Sequence, residues 1–104
     1  MATPRLTKPT IGVLEVLLSA QDDDPAWGLK ICMEADLGSG TVYPILERLA
    51  NNGWVTSWSE TDPHPGRPPR RFYKLTDMGR LATDVALKER AARQARFRLA
   101  ERLT

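Results

Sequence analysis

The 104-residue chain contains one cysteine, one histidine and three tryptophans. A lone Cys32 excludes an intramolecular disulfide and a cysteine-based zinc site. The sequence also lacks a paired nucleophile and base, a metal-ligand cluster and a glycine-rich phosphate loop. We therefore expect no enzymatic activity, with no catalytic residue, no bound metal and no cofactor.

Long hydrophobic runs are missing as well. The apolar segment Ile11–Ala20 is too short to span a bilayer, and it contains Glu15. The first thirty residues lack a basic start followed by an apolar stretch and a small-residue cleavage site. We expect a cytoplasmic protein that has no membrane partner.

The net charge is only +2, but the charges are unevenly distributed. Acidic residues predominate between residues 21 and 53, whereas arginines predominate from residue 54 onward. Because a local basic surface attracts a polyanion more than total charge does, the second half favours a nucleic-acid partner. The acidic first half instead suits a protein-interaction module that docks on another regulator or a polymerase subunit.

Apolar spacing and capping residues predict four helices and a hairpin. The first helix opens at Pro9-Thr10, and the second has Asp24 as its N-cap and Pro25 as its first residue. The third is capped by Thr41 in preference to Ser39, which keeps Pro44 in the first turn, or else its first turn is slightly distorted. The last is capped by Thr76. Residues 54–60 and 71–75 favour strands on either side of a Pro/Gly-rich loop that carries positive charge.

This order predicts a mostly helical α+β fold. We expect a winged helix-turn-helix of three helices and a two-stranded wing, followed by a long C-terminal dimerisation helix. We divide the chain into a flexible arm (residues 1–8), the DNA-binding domain (residues 9–75) and the dimerisation helix (residues 76–104). The dimerisation residues lie at seven-residue spacing and on the adjoining seam: Met78, Leu81, Val85, Ala92 and Leu99.

The third helix is the best-defined segment. Its buried stripe consists of Val42, Ile45, Leu46 and Leu49, so the opposite face presents Thr41, Tyr43, Pro44, Glu47, Arg48 and Asn51. The start of such a helix directs backbone N–H groups and a positive dipole outward, where they suit a phosphate.

The motifs in this region resemble the PadR family of transcription regulators. Gly40–Leu49 with Gly53-Trp54-Val55 is similar to that family's recognition helix, and Gly66–Thr76 with Gly79-Arg80 is similar to its wing and the start of its dimer helix. Trp27–Ile31 occupies the place of its second-helix motif. Two departures are Trp27, where the family often has histidine, and one extra residue around Pro68-Pro69. The single helix after the wing resembles the short-tailed branch.

The resemblance implies a homodimer, usually a repressor, that binds a pseudo-palindromic operator in double-stranded DNA. A small aromatic or lipophilic effector would release the operator, and Trp27 and Trp54 are candidates for its pocket. The third helix would lie in the major groove, with the wing on the backbone or in the minor groove. The implied DNA-binding residues are Ser39, Thr41, Tyr43, Pro44, Arg48, Arg67, Arg70 and Arg71.

Each of these assignments has an alternative in the sequence. Tyr43-Pro44 could be a capping and packing device, and Arg48 could form a surface pair with Glu47 or Glu34. The wing arginines could be solvated loop charges, and the tryptophans could be core aromatics. The sequence leaves these alternatives open.

Overall fold

The computed structural model describes residues 6–62 and 64–103. The helices are α1 (Lys8–Ser19), α2 (Gly28–Ala35), α3 (Ser39–Asn51) and α4 (Asp77–Leu103), and the strands are β1 (Ala26–Trp27), β2 (Val55–Ser59) and β3 (Arg71–Leu75). This is the predicted winged helix-turn-helix with its long final helix, and it has one short strand more than expected. Within the described residues, every helix is too short or too polar to cross a membrane.

Helix α1 begins at a side-chain cap. The Thr7 hydroxyl accepts a hydrogen bond from the Thr10 backbone N–H at 3.3 Å, and Pro9 lies in the first turn, where it costs no helical hydrogen bond. Thr7 and Lys8 therefore belong to the helix start, although the predicted flexible arm included them. Residues 1–5 of that arm lie outside the described residues.

Helix α2 begins later than predicted, so the assignment of Asp24 as N-cap and Pro25 as first residue is wrong. Asp24 closes a turn by donating its backbone N–H to the Gln21 carbonyl at 3.0 Å. The next two residues form β1, which pairs antiparallel with β3. This pairing supplies partners to backbone groups on an otherwise open edge of β3. Trp27 consequently ends a strand, and α2 starts at Gly28.

The turn between α2 and α3 is short, as a helix-turn-helix requires. Asp36 adopts a left-handed conformation with φ 55°, which short polar side chains tolerate better than most. The Leu37 backbone N–H then donates to the Cys32 carbonyl at 3.0 Å. Helix α2 therefore ends at Ala35, with Asp36 as its C-cap.

The sheet has the strand order β1-β3-β2, and both pairs are antiparallel. The predicted wing hairpin is confirmed, with Val55 opposite Leu75 at its base and Ser59 opposite Arg71 toward its tip. Trp54 precedes β2, and its backbone N–H donates to the Leu49 carbonyl at the end of α3 at 2.9 Å. The wing is therefore anchored directly to the C-terminal end of α3.

The predicted cap of the last helix is confirmed. The Thr76 hydroxyl donates to the Gly53 carbonyl at 2.7 Å and accepts the Gly79 backbone N–H at 2.9 Å. Gly79 lies against the Trp54 backbone, so closely that an added Cβ would fall 2.8 Å from the Trp54 Cα. These contacts fix the direction in which α4 leaves the domain.

One hydrophobic core joins α1, α2, α3 and the sheet. Its fully buried members come from all three short helices, and they include Val13, Leu14, Ile31, Val42, Leu46 and Leu49. Helix α4 contributes much less, since only Gly79 and Thr83 are buried on it. From Ala91 to Leu103 every residue is exposed. The second half of α4 thus extends beyond the domain and gives the molecule a length of 61 Å.

Candidate nucleic-acid interface

Helix α3 starts earlier than expected. Gly38 is its N-cap residue, and it provides no side-chain cap, so the prediction that Thr41 caps the helix is wrong. The Gly38 carbonyl instead accepts backbone N–H groups from Thr41 and Val42, both at 3.0 Å. Ser39 and Thr41 are exposed within the first turn. Their hydroxyls are therefore available to an external partner.

Pro44 lies in the second turn of α3, not in the first. It is the sixth residue of a helix that continues across it to Asn51. Proline has no N–H, so the carbonyl four residues earlier, at Gly40, receives no helical hydrogen bond from it. Gly40 has open space around it, so the carbonyl that loses its helical hydrogen bond lies on the outer surface at the start of the helix.

The division of α3 into two faces is confirmed. Val42, Ile45, Leu46 and Leu49 are buried, whereas Thr41, Tyr43, Pro44, Glu47 and Arg48 are exposed. Within the described residues Arg48 forms no ion pair with Glu47 or Glu34. Its carbonyl accepts the Asn52 side-chain amide at 2.8 Å, which caps the end of the helix. The Arg48 guanidinium thus remains on the solvent side.

Tyr43 combines packing with exposure. Its side chain is 45% exposed, yet one side of the ring lies against Gly28 at the start of α2. A Cβ added to Gly28 would fall 2.8 Å from the Tyr43 Cε1. Burial raises the pKa of the neighbouring Tyr73 hydroxyl; Arg71 opposes the rise, and Tyr43 adds to it. Tyr43 therefore packs on the start of α2 with part of its ring accessible.

The three wing arginines occupy different environments. Arg67 donates from both terminal nitrogens to the Glu60 carboxylate, at 2.9 and 3.0 Å. The Arg67 guanidinium holds the pKa of Glu60 below its usual range, and Glu60 in turn raises the pKa of Arg67. Arg71 is exposed and donates to the hydroxyls of Ser57 and Ser59 on β2, at 2.9 and 3.4 Å.

Arg70 connects the wing to the helix-turn-helix. Its guanidinium carbon lies 4.0 Å from the ring centroid of Trp27, a distance typical of a cation–π contact. Trp27 immediately precedes Gly28, which contacts Tyr43 of α3. The wing and the exposed face of α3 therefore approach the same two adjacent residues, Trp27 and Gly28.

The predicted dimerisation residues lie on the outer side of α4. Met78 and Val85 are each 49% exposed, Leu81 is 68% and Leu99 is 58% exposed, and Ala92 is also exposed. Phe97, which was not predicted to be a dimerisation residue, is 67% exposed as well. Phe97 lies outside the seven-residue pattern, so that pattern could not identify it. Apolar surface of this extent along one helix is suited to a partner.

The two predicted effector-pocket residues differ in burial. Trp54 belongs to the core and is 7% exposed. Trp27 is half-buried, and its ring is covered by Arg70. The prediction that they contact an effector remains untested.

Comparison with known proteins relates this architecture to transcriptional regulators. The description "Transcriptional regulator PadR-like family" applies to the family profile that matches residues 16–84. A PadR family transcription regulator from hypervirulent Clostridium difficile is 19% identical, with a TM-score of 0.70 over 90% of this chain and 99% of that one. No curated protein matches the chain.

Two further solved structures have the same fold. A PadR-like transcription factor from Bacteroides fragilis is 25% identical, with a TM-score of 0.60 over 93% of this chain and 92% of that one. The PcaV transcriptional regulator from Streptomyces coelicolor, solved with its natural ligand, is 24% identical, with a TM-score of 0.68 over 96% and 65% of the two chains.

Proposed function

Because this chain belongs to the PadR-like family of transcriptional regulators, we propose that it binds duplex DNA as a homodimer. Helix α3 enters the major groove, and the wing lies on the adjacent backbone or in the minor groove. One observation carries this proposal. Arg70 of the wing covers Trp27, and Tyr43 of α3 packs on Gly28, so the two DNA-binding surfaces are adjacent.

The start of α3 is suited to phosphate. Ser39, Thr41 and Tyr43 expose hydroxyl groups there, and the helix dipole adds positive potential at the same end. Arg48 lies two turns into the helix and is exposed, where a guanidinium can donate two hydrogen bonds to a guanine edge. The N-terminal residues thus position the helix, and Arg48 contributes sequence preference.

The wing supplies the second set of contacts. Arg71 is exposed, and its two serine partners are neutral, so phosphate can replace them without separating an ion pair. Arg67 is already neutralised by Glu60, so its contact with DNA requires exchange of one anion for another. We therefore rank Arg71 above Arg67 as a phosphate contact.

Dimerisation through α4 places two copies of α3 on one duplex. The exposed apolar residues of α4 continue past the end of the domain, where a second copy of the chain would cover them. A twofold dimer requires a pseudo-palindromic operator with half-sites about one helical turn apart.

We further propose that the protein is a repressor that releases its operator when a small aromatic or lipophilic molecule binds. The support is the family resemblance, together with the structural neighbour that holds its natural ligand. Trp27 and Trp54 remain candidates for a pocket completed by the second copy.

The test compares two arginine variants on a duplex obtained by selection from random sequence. Arg71→Ala should weaken binding to selected and random duplexes alike and reduce the salt dependence, because a phosphate contact is lost. Arg48→Ala should weaken only the selected duplex, by about 1–3 kcal/mol. Fluorescence anisotropy at several salt concentrations measures both effects.

Absence of duplex binding at low salt would contradict the proposal. If the chain then captured one stoichiometric protein partner, the alternative would be favoured, namely a module that docks on another regulator or a polymerase subunit.

A further inference from the structure

The Arg70 guanidinium contacts an aromatic ring but has no polar partner. Its Cζ atom lies over the Trp27 ring, 4.0 Å from the centroid, and stacking is the arrangement that arginine favours on aromatic faces. Within residues 6–62 and 64–103 this side chain forms no ion pair and donates no hydrogen bond. Because the five N–H donors of a guanidinium lie in one plane, stacking leaves them available at its edge.

Both ends of the Arg70 side chain are held in place. At the backbone, the Glu60 carboxylate accepts the Arg70 N–H at 3.3 Å, and the Glu60 N–H donates to the Arg70 carbonyl at 2.8 Å. At the other end, Trp27 belongs to β1, where it lies opposite Phe72 of β3. The side chain therefore joins the wing loop to β1, and its guanidinium is ordered before any ligand binds.

This guanidinium lies beside the start of α2. The helix begins at Gly28, immediately after Trp27, and no side chain caps it. Its first backbone N–H groups and the positive end of its dipole therefore favour an anion. Asp24, on the turn before β1, is already paired with Lys30 at 3.0 Å. Two sources of positive potential, the helix start and Arg70, are thus adjacent.

We propose that Trp27 is a positioning residue for DNA, which holds the Arg70 guanidinium so that its edge donates to a backbone phosphate. The in-plane donors of Arg70 suit two parallel hydrogen bonds to phosphate oxygens. The benefit is that DNA binding does not have to immobilise a long, mobile side chain. This inference rests on the proposed function, and it names one phosphate contact together with the residue that orders it.

Arg71 provides the comparison within the same wing. It is exposed, its partners are the hydroxyls of Ser57 and Ser59, and in the described part of the chain no ring lies over it. Each arginine contributes one positive charge, but only Arg70 depends on Trp27. Loss of the Trp27 ring should therefore reduce the contribution of Arg70 alone, whereas a general loosening of the wing would reduce both.

Two double-mutant cycles test this dependence, with fluorescence anisotropy on a duplex selected from random sequence. Trp27→Leu and Arg70→Gln should each weaken binding about three- to tenfold, and the double variant should bind no more weakly than Arg70→Gln alone. Trp27→Leu and Arg71→Gln should instead be additive. Trp27→Phe, which keeps a ring, should restore most of the affinity.

Two further measurements separate positioning from a merely structural role. Trp27→Leu should leave the salt dependence of binding unchanged, because the charge of Arg70 is retained, whereas Arg70→Gln should reduce it. In NMR spectra of the free protein, the indole ring should shift the Arg70 side-chain signals upfield, and Trp27→Leu should abolish that shift. This second measurement does not require DNA.

The inference would be overturned by additivity between Trp27→Leu and Arg70→Gln, by equal coupling of Trp27 to both arginines, or by an unshifted Arg70 in the wild type. If Trp27→Leu proves unfolded, Trp27→Phe decides, since affinity as low as that of Arg70→Gln would contradict the role of the ring. In all these cases the wild type still binds duplex, and the proposed function stands. A wild type that binds no duplex would refute the proposed function and the phosphate contact together.

Discussion

The Glu60 carboxylate accepts hydrogen bonds from both terminal nitrogens of Arg67, and this pair closes the base of the wing loop. Glu60 also accepts the backbone N–H of Arg70 at 3.3 Å and donates its own N–H to the Arg70 carbonyl at 2.8 Å. The pair thus holds the loop ends together while neutralising one of the three wing arginines. In the proposed DNA complex, an acidic residue at the base of this loop has both a structural benefit and an electrostatic cost.

The electrostatic cost can be measured with Glu60→Gln. This change retains an acceptor for the Arg70 N–H, removes one negative charge and releases Arg67. We expect duplex affinity to rise about three- to tenfold at low salt for every sequence, with a steeper salt dependence. Arg67→Ala should not raise affinity. If Glu60→Gln weakens binding as much as Arg71→Ala does, the shape of the loop matters more than its charge.

The structural benefit of the pair depends on pH. Because Arg67 lowers the pKa of Glu60, the folded state binds this proton less readily than the unfolded state does. The stabilisation is fully present above the unfolded carboxylate pKa of about 4.3 and is lost as pH falls through the lower folded value. Melting temperatures between pH 3 and 7 should fall less steeply toward low pH in Glu60→Gln than in the wild type. Asp22, whose pKa is lowered by Lys74, contributes in the same direction in both proteins, and parallel curves would contradict the prediction.

Gly28→Ala tests the contact that positions Tyr43. At the start of a helix, alanine usually stabilises relative to glycine, but here the added Cβ would collide with the Tyr43 ring. We expect a loss of about 1 kcal/mol in stability, at the low end for overpacking because the ring is half-exposed, and weaker DNA binding. Gly40→Ala is the matched control, since open space surrounds it, and it should be neutral or stabilising. Normal stability and DNA affinity in Gly28→Ala would mean that the ring position is unimportant.

Val85→Glu and Leu99→Glu test the dimer. Both residues are about half-exposed in the single chain, so the changes should leave the winged domain folded. We expect each variant to dissociate to monomers at micromolar concentration and to lose affinity for a two-half-site operator. Gln94→Glu, also exposed but off the seven-residue seam, is the control. Light scattering that shows a dimer for all three variants, or a monomer for the wild type, would refute dimerisation through this seam.

Features set by neighbouring residues were predictable from the sequence. The buried stripe of α3, the Thr76 cap and the hairpin strands each depend on spacing within one element or on a residue's intrinsic preference. The start of α2 was not predictable in this way. Strand β1 has two residues, and its partner β3 lies more than forty positions later, so Asp24-Pro25 resembled a helix start although tertiary pairing keeps the next residues extended.

In the candidate site, the differences among the three wing arginines could not be predicted either. The sequence identified Arg67, Arg70 and Arg71 but treated them as equivalent. Their differences arise from partners brought close by the hairpin and the sheet: Glu60 across the loop, Trp27 on β1 and two serines on β2. Because the loop between the strands is rich in proline and glycine, its register could not be deduced from alternation alone.

The contact between Gly79 and the Trp54 backbone fixes the start of α4 to the winged domain. In a twofold dimer joined by this helix, each added residue would turn one domain by about 100° and advance it about 1.5 Å. In such a dimer, the number of residues between Gly79 and the dimer seam therefore sets the distance between the two half-sites that it binds. An insertion there would require an operator with a different spacing, although the side chains proposed to contact DNA would be unchanged.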